Sequence, residues 1–339
     1  MPPVPPCRDA AGRGTAPPLS WGVVEGQCAA VKVCPSTTAA RRSPSPNCVQ
    51  GGKLALSLLL LAAAPLPDRA EALRSLVALD LRVAVIGNRL STANVAACVR
   101  RAPQTGIVFH DLAQFSGKDR EAAAKTFGLG ANPAISAVVP GSIADQAGLR
   151  AGDAIIALND QPFGPVDPKD PYARIARIES ATERGPTILA VARPGGPKSF
   201  VLAGTPGCAS RVQVIPGRKL NASADGIYVQ LTTAVAEYAA DDNELAVIIA
   251  HEMAHNILGH KERLDRDGRS GANIRTTEIE ADITSLKLLK IAGYDPKAAA
   301  RFWQRFGKKT GAGIFSDGTH QRTKDRVAML SAEATKLAQ

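Results

Sequence analysis

Between residues 71 and about 101, apolar side chains recur at steps of three and four (Leu73, Leu76, Val77, Leu79, Val83, Ile86, Leu90). This spacing predicts an amphipathic helix interrupted near Gly87. A second helix is expected from Lys118 to about Phe127, where Gly128 stops it. The period then changes. Residues 134–139 and 154–158 are short apolar runs bounded by Gly, Pro, Asn and Asp, the signature of strands, and Asn159-Asp160 marks a turn. A helix over residues 171–183 and a strand over 187–191 follow. From Asp241 the chain runs with capping residues, an early Glu and no Gly or Pro until Gly259, which predicts one long helix.

Before residue 53 no apolar period exists. Residues 1–70 hold 11 of the 24 prolines and four of the six cysteines (Cys7, Cys28, Cys34, Cys48). Lys53 then introduces eleven apolar or small residues, 54–64, ended by Pro65, Pro67 and Asp68. A cationic flank, a short apolar stretch and small residues up to about Ala70 describe an export signal over residues 49–70. The run is too short for a membrane span, which needs about 20 residues. Residues 1–48 are read as a mis-assigned start or a disordered extension. Removing residues 1–70 takes away seven basic and three acidic residues, lowering the net charge from +10 to +6. It leaves Cys98 and Cys208 as an even pair, as one disulfide in an exported chain would require. The basic excess is scattered and aromatics make up 4%, which argues against nucleic-acid binding. At 339 residues the chain has room for two or three units.

Within residues 127–205, Pro140-Gly-Ser and the run Ala147-Gly-Leu-Arg-Ala-Gly-Asp153 resemble the most specific stretch of bacterial PDZ domains. The resemblance implies a small β-rich barrel that takes an extended peptide as an added strand, its carboxylate held by backbone amides of a glycine loop. That loop is assigned to Phe127, Gly128, Leu129 and Gly130. His110-Asp111, lacking a third partner, is read as a structural contact. Residues 71–126 are expected to be a helical N-terminal region.

On the helix from Asp241, His251 and His255 stand four apart, so both imidazoles share one face and can bind a single Zn²⁺. Glu252, one residue round, is near enough to act on a water there without being a ligand. The surrounding Leu245, Val247, Ile248, Ile249, Met253 and Ile257 describe a core helix, which has little other use for two His and a Glu. A carboxylate ligand is available downstream, where Glu278 and Asp282 are four apart; spacing alone permits Glu278 or Glu280. Lys261 stands where a metzincin would place its third His. His260 is read as a surface residue at the helix end, favoured by the dipole there.

His251-Glu-Met-Ala-His255, Glu278-Ile-Glu-Ala-Asp282 and His320 followed by Arg326, in this order, resemble the M48 family of zinc metallopeptidases over residues 210–335. The resemblance implies Glu278 as third ligand, Asp282 as its outer partner, His320 as an oxyanion- or substrate-stabilising group, and Arg326 as a structural ion-pair partner. Gln321-Arg322 departs from the Pro often found after that His. The expected class is α+β and multidomain, a PDZ domain followed by a mainly helical zincin-type domain with a small sheet. The expected function is an exported zinc endopeptidase, one Zn²⁺ per chain, in a bacterial periplasm. It would act on proteins or peptides, misfolded envelope proteins among them, with the PDZ domain recruiting or gating substrate and a peptide lying along the strand near residues 221–230. The alternative is a periplasmic peptide-binding or chaperone-like module with a latent protease domain.

Overall fold

The computed structural model describes residues 68–167, 169–310 and 322–338. The expected export signal lies outside the described residues except for Asp68 to Ala70, which already belong to the first helix: Asp68 accepts from the Glu71 amide and caps α1 (Arg69–Ala93). Then come β1 (Arg101–Gln104), β2 (Ile107–His110), α2 (Gly117–Phe127), β3 (Ala134–Val138), α3 (Ile143–Gln146), β4 (Ala154–Leu158), β5 (Gln161–Pro162), α4 (Ala173–Arg184), β6 (Thr187–Ala192), β7 (Lys198–Leu202) and β8 (Thr205–Cys208). The remainder is β9 (Arg211–Ile215), β10 (Ala222–Ala224), β11 (Tyr228–Thr232), α5 (Thr233–Tyr238), α6 (Asp242–Ile257), α7 (His260–Asp267), α8 (Gly271–Ile291), α9 (Ala298–Thr310) and α10 (Thr323–Ala338). No helix among the described residues is long and apolar enough to cross a membrane.

The sheet-rich part is built on the order β2-β3-β4-β6-β7, antiparallel throughout, with β5 paired to β4. Its core joins Ile135, Ile155, Ile178, Leu189 and Leu202. Asn159 and Asp160 both take positive φ, as a tight hairpin turn with matching twist demands. The helical part packs α5, α6, α8, α9 and α10 against a three-stranded sheet ordered β10-β11-β9.

Two expectations change here. The helix α1 runs through Gly87 without interruption, because that residue serves packing: a Cβ there would lie 2.7 Å from Val212 Cγ2 on β9. Nor do residues 71–126 form a separate region. Val83, Ile86 and Leu90 of α1 sit in the same core as Leu245, Ile249 and Phe302, and the Asp80 carboxylate accepts from the Val214 amide on β9. The peptidase-like core is thus assembled from α1 and everything after β8, and the sheet-rich domain is inserted between them. Chain entry and exit pair with each other: β1 and β8 form an antiparallel ladder from Arg101↔Cys208 to Gln104↔Thr205. Cys98 and Cys208 are joined by a disulfide at the base of this stalk, their Cα atoms 5.4 Å apart.

Beyond the stalk the two parts touch through a polar cluster. Arg211, which opens β9, donates to Glu179 at 2.6 Å and Glu183 at 2.5 Å on α4, and the Tyr228 hydroxyl on β11 lies 3.3 Å from Glu179. Burial pushes the Glu179 carboxyl up, against the pull of Arg211.

Candidate metal centre

Asp241 caps α6 by accepting from the Glu244 amide at 2.9 Å, and Glu244, itself buried, pairs with Arg305 of α9 at 2.6 Å. The helix is buried almost throughout, from Leu245 to Ala254. One residue on this buried run is therefore polar only at a cost, and His251 is buried all the same.

The structure brings His251, His255 and Glu278 together. The two Nε2 atoms are 3.2 Å apart, and the Glu278 carboxylate oxygens stand 3.3 Å from His251 Nε2 and 3.4 Å from His255 Nε2. Four-coordinate zinc binds imidazole nitrogen and carboxylate oxygen at about 2.0–2.2 Å, which makes the edge of the ligand tetrahedron roughly 3.3–3.5 Å. Three donors of the right chemistry lie at that spacing. Within this carboxylate-lined pocket burial alone would push the His251 imidazole down, yet Asp282 and Glu278 lift it to about 10. Burial and the neighbouring His251 lower His255 to about 3. Burial also raises Glu252, to about 7. Of the three groups, only His251 is held in its charged form, by the carboxylates of Asp282 and Glu278.

Behind the three donors, Asp282 stands 3.0 Å from His251 Nδ1, and Arg326 of α10 grips Asp282 through two hydrogen bonds of 2.7 and 2.6 Å. Asp282 and Arg326 are buried. One residue given no role from the sequence, Trp303, joins them. The Arg326 guanidinium lies 3.3 Å from the Trp303 ring centre, and that ring stands 5.9 Å from the His251 ring. Trp303 reaches the centre from α9, an approach no local pattern announces.

His260 departs from expectation. It is 1% exposed, not a surface residue, and its Nδ1 is 2.9 Å from His255 Nδ1 while its Nε2 is 3.1 Å from Glu280. The cause is Gly259, whose φ of +62° turns the chain between α6 and α7 and folds His260 back. Glu280 points to this side of α8, where Arg263 also holds it at 2.6 Å; it is Glu278 that faces the two Nε2 atoms. His320 lies outside the described residues.

The glycine loop assigned to peptide capture is also placed differently. Phe127 ends α2, Gly128 takes the left-handed conformation that terminates it, and Leu129 is buried, while Gly130 is exposed. The strand that follows, β3, is paired on both sides by β2 and β4, so no added strand can reach it. The edge strands are β2 and β7, and β2 is preceded by Thr105 and by Gly106 at φ +76°. Helix α4 lies beside its end: Arg174 pairs with the buried Asp111, which immediately follows β2, through bonds of 2.7 and 2.5 Å. His110 is buried with its ring 5.4 Å from Phe127.

A helix-borne pair of imidazoles completed by a carboxylate from a second helix, beside a small sheet, is a metallopeptidase type of centre. Comparison with known families agrees on both parts of the molecule. Residues 134–193 match the PDZ domain, and residues 200–266 match peptidase family M48. The chain thus combines a PDZ domain with a peptidase domain of family M48. Glu278, Asp282 and Arg326 lie beyond the matched segment. No curated protein was found to match the chain.

Proposed function

We propose that the protein is an exported zinc-dependent metalloendopeptidase whose PDZ domain recruits substrate. The observation that carries the reading is the spacing of His251 Nε2, His255 Nε2 and Glu278 Oε, which fits three corners of a zinc tetrahedron and leaves the fourth open. When bound, Zn²⁺ supplies Lewis-acid polarisation and lowers the pKa of water towards ~7. His251, His255 and Glu278 would hold it. Asp282, fixed by Arg326, orients the His251 ring through its outer nitrogen. Glu252 takes the proton of the attacking water and delivers it to the departing amine. His320 is assigned the stabilisation of the developing oxyanion.

Substrate would lie along β10, an edge strand of the sheet that packs on α6, with its main chain paired as an added strand. On the PDZ domain the corresponding edge is β2, with the backbone at Thr105 and Gly106 taking the carboxylate role first assigned to residues 127–130. Export to an oxidising compartment, a bacterial periplasm, is supported by the apolar stretch at 54–64 and by the Cys98–Cys208 disulfide.

The test measures zinc content of the purified chain and cleavage of unfolded casein with and without chelator. About one zinc per chain and chelator-sensitive cleavage are expected, and Glu252→Gln should retain zinc while losing at least 10²-fold in rate. Full activity in zinc-loaded Glu252→Gln would remove the general-base assignment. Zinc with no cleavage of any unfolded protein would favour a latent protease domain.

A further inference from the structure

The two imidazoles of the centre are supported differently. Behind His251 stands a buried carboxylate clamped by arginine. Behind His255 stands another imidazole: His260 Nδ1 lies 2.9 Å from His255 Nδ1, and His260 Nε2 lies 3.1 Å from Glu280 Oε2, which Arg263 holds at 2.6 Å. Neither neighbour comes from α6 itself. His260 and Arg263 are on α7 and Glu280 is on α8, so three helices meet at this chain of contacts.

We infer that His260, backed by Glu280, is a positioning residue that orients the His255 ring and fixes which of its nitrogens is free to bind metal. The inference rests on the metal-site reading above. Its warrant is the direction of the hydrogen bonds. Two Nδ1 atoms at 2.9 Å can share only one proton. A carboxylate can only accept, so the His260 proton belongs on Nε2, facing Glu280. That leaves His260 Nδ1 as an acceptor, and the shared proton belongs to His255 Nδ1. His255 Nε2 is then unprotonated and points at His251 Nε2 and Glu278, the side where a cation is held. Glu280 sets this order through His260, and Arg263 keeps Glu280 in place. Outer partners of metal-binding histidines act in this way, and losing one costs roughly 10–100-fold in metal affinity.

His260→Leu, His260→Asn and Glu280→Gln test it in the full chain, by zinc titration against a chromophoric chelator, by melting of the zinc-free proteins, and by the visible spectrum after cobalt substitution. Asparagine places an amide oxygen where Nδ1 accepts. His260→Leu is expected to weaken zinc binding roughly 10–100-fold and to alter the cobalt spectrum. His260→Asn should restore most of the affinity, and Glu280→Gln should fall between. Zinc affinity equal to wild type in both His260→Leu and Glu280→Gln overturns the inference. So does a loss that merely tracks a lower melting temperature of the zinc-free protein and is not relieved in His260→Asn. Should His260→Leu fail to fold, the other two variants decide. Wild-type protein that binds no zinc overturns the metal-site reading, and this inference with it, a result distinguishable from normal wild-type binding with indifferent variants.

Discussion

Asp80 lies on α1 facing β9 and accepts from the Val214 amide, and burial raises its carboxyl from 3.8 to about 7. A folded-state pKa above the unfolded value means that the native protein binds the proton more tightly. The contribution to stability is therefore fully present below about pH 4 and is lost as pH rises through 7. Asp80→Asn keeps an acceptor for the Val214 amide and removes the charge. It should stabilise the protein by about 1–3 kcal/mol at pH 8 and by progressively less towards pH 4. Melting temperatures of both proteins across this range check the sign, and a pH-independent difference would refute it. At this scale the sequence was readable where chemistry is local. His251, Glu252 and His255 lie within five positions of one helix, so their shared face follows from the helical period. Glu278 and Glu280 could not be separated by spacing, because which side of α8 meets α6 and which meets α7 is decided by packing. His260 was misread for the same reason: its exposure depends on the left-handed turn at Gly259 and on Glu280, twenty residues away.

Among the elements, α1 shows how a residue with poor helix propensity can be required. Gly87 lets α1 approach β9 so closely that a Cβ would overlap Val212. Alanine is favoured over glycine in a helix by about 1 kcal/mol, whereas overpacking a tight contact costs typically 1–3 kcal/mol. Gly87→Ala should therefore destabilise the protein, and Val212→Ala added to it should recover part of the loss; denaturant midpoints of the single and double variants provide the measurement. The sequence suggested a break at this glycine because its partner lies more than a hundred positions downstream. The same blindness affected the peptide-capturing loop. Phe127-Gly-Leu-Gly130 has the glycines such a loop needs, but β3 after it is paired on both sides, while β2, after a single Gly106, forms one edge. Element types and most limits in the sheet-rich domain were legible from period and turn residues; which strand is outermost is a property of the assembled sheet.

In the whole molecule, the insertion of the PDZ domain between α1 and β9 was hidden from the sequence, since nothing local ties residues 69–93 to the core built from residue 211 onward. The disulfide closes a loop of 110 residues that contains the entire insert. A crosslink of that span removes denatured-state entropy worth up to roughly 5 kcal/mol. Replacing both Cys98 and Cys208 with Ser should lower the melting temperature. Amides of the β1–β8 ladder should lose hydrogen-exchange protection before those of α6, and unchanged protection in β1 and β8 would show that the stalk holds without the bond.

The double attachment has a geometrical consequence. A domain hung on one linker sweeps a wide volume, but one fastened at two adjacent points, with α4 held by Arg211 and Tyr228, keeps its β2 edge at a nearly constant distance from the metal-binding donors. Under the proposed function, a chain held on β2 would reach the metal-binding donors only at a set remove from its own terminus. The proposed peptidase would then work as a ruler, its cut set by a count of residues inward from the gripped end.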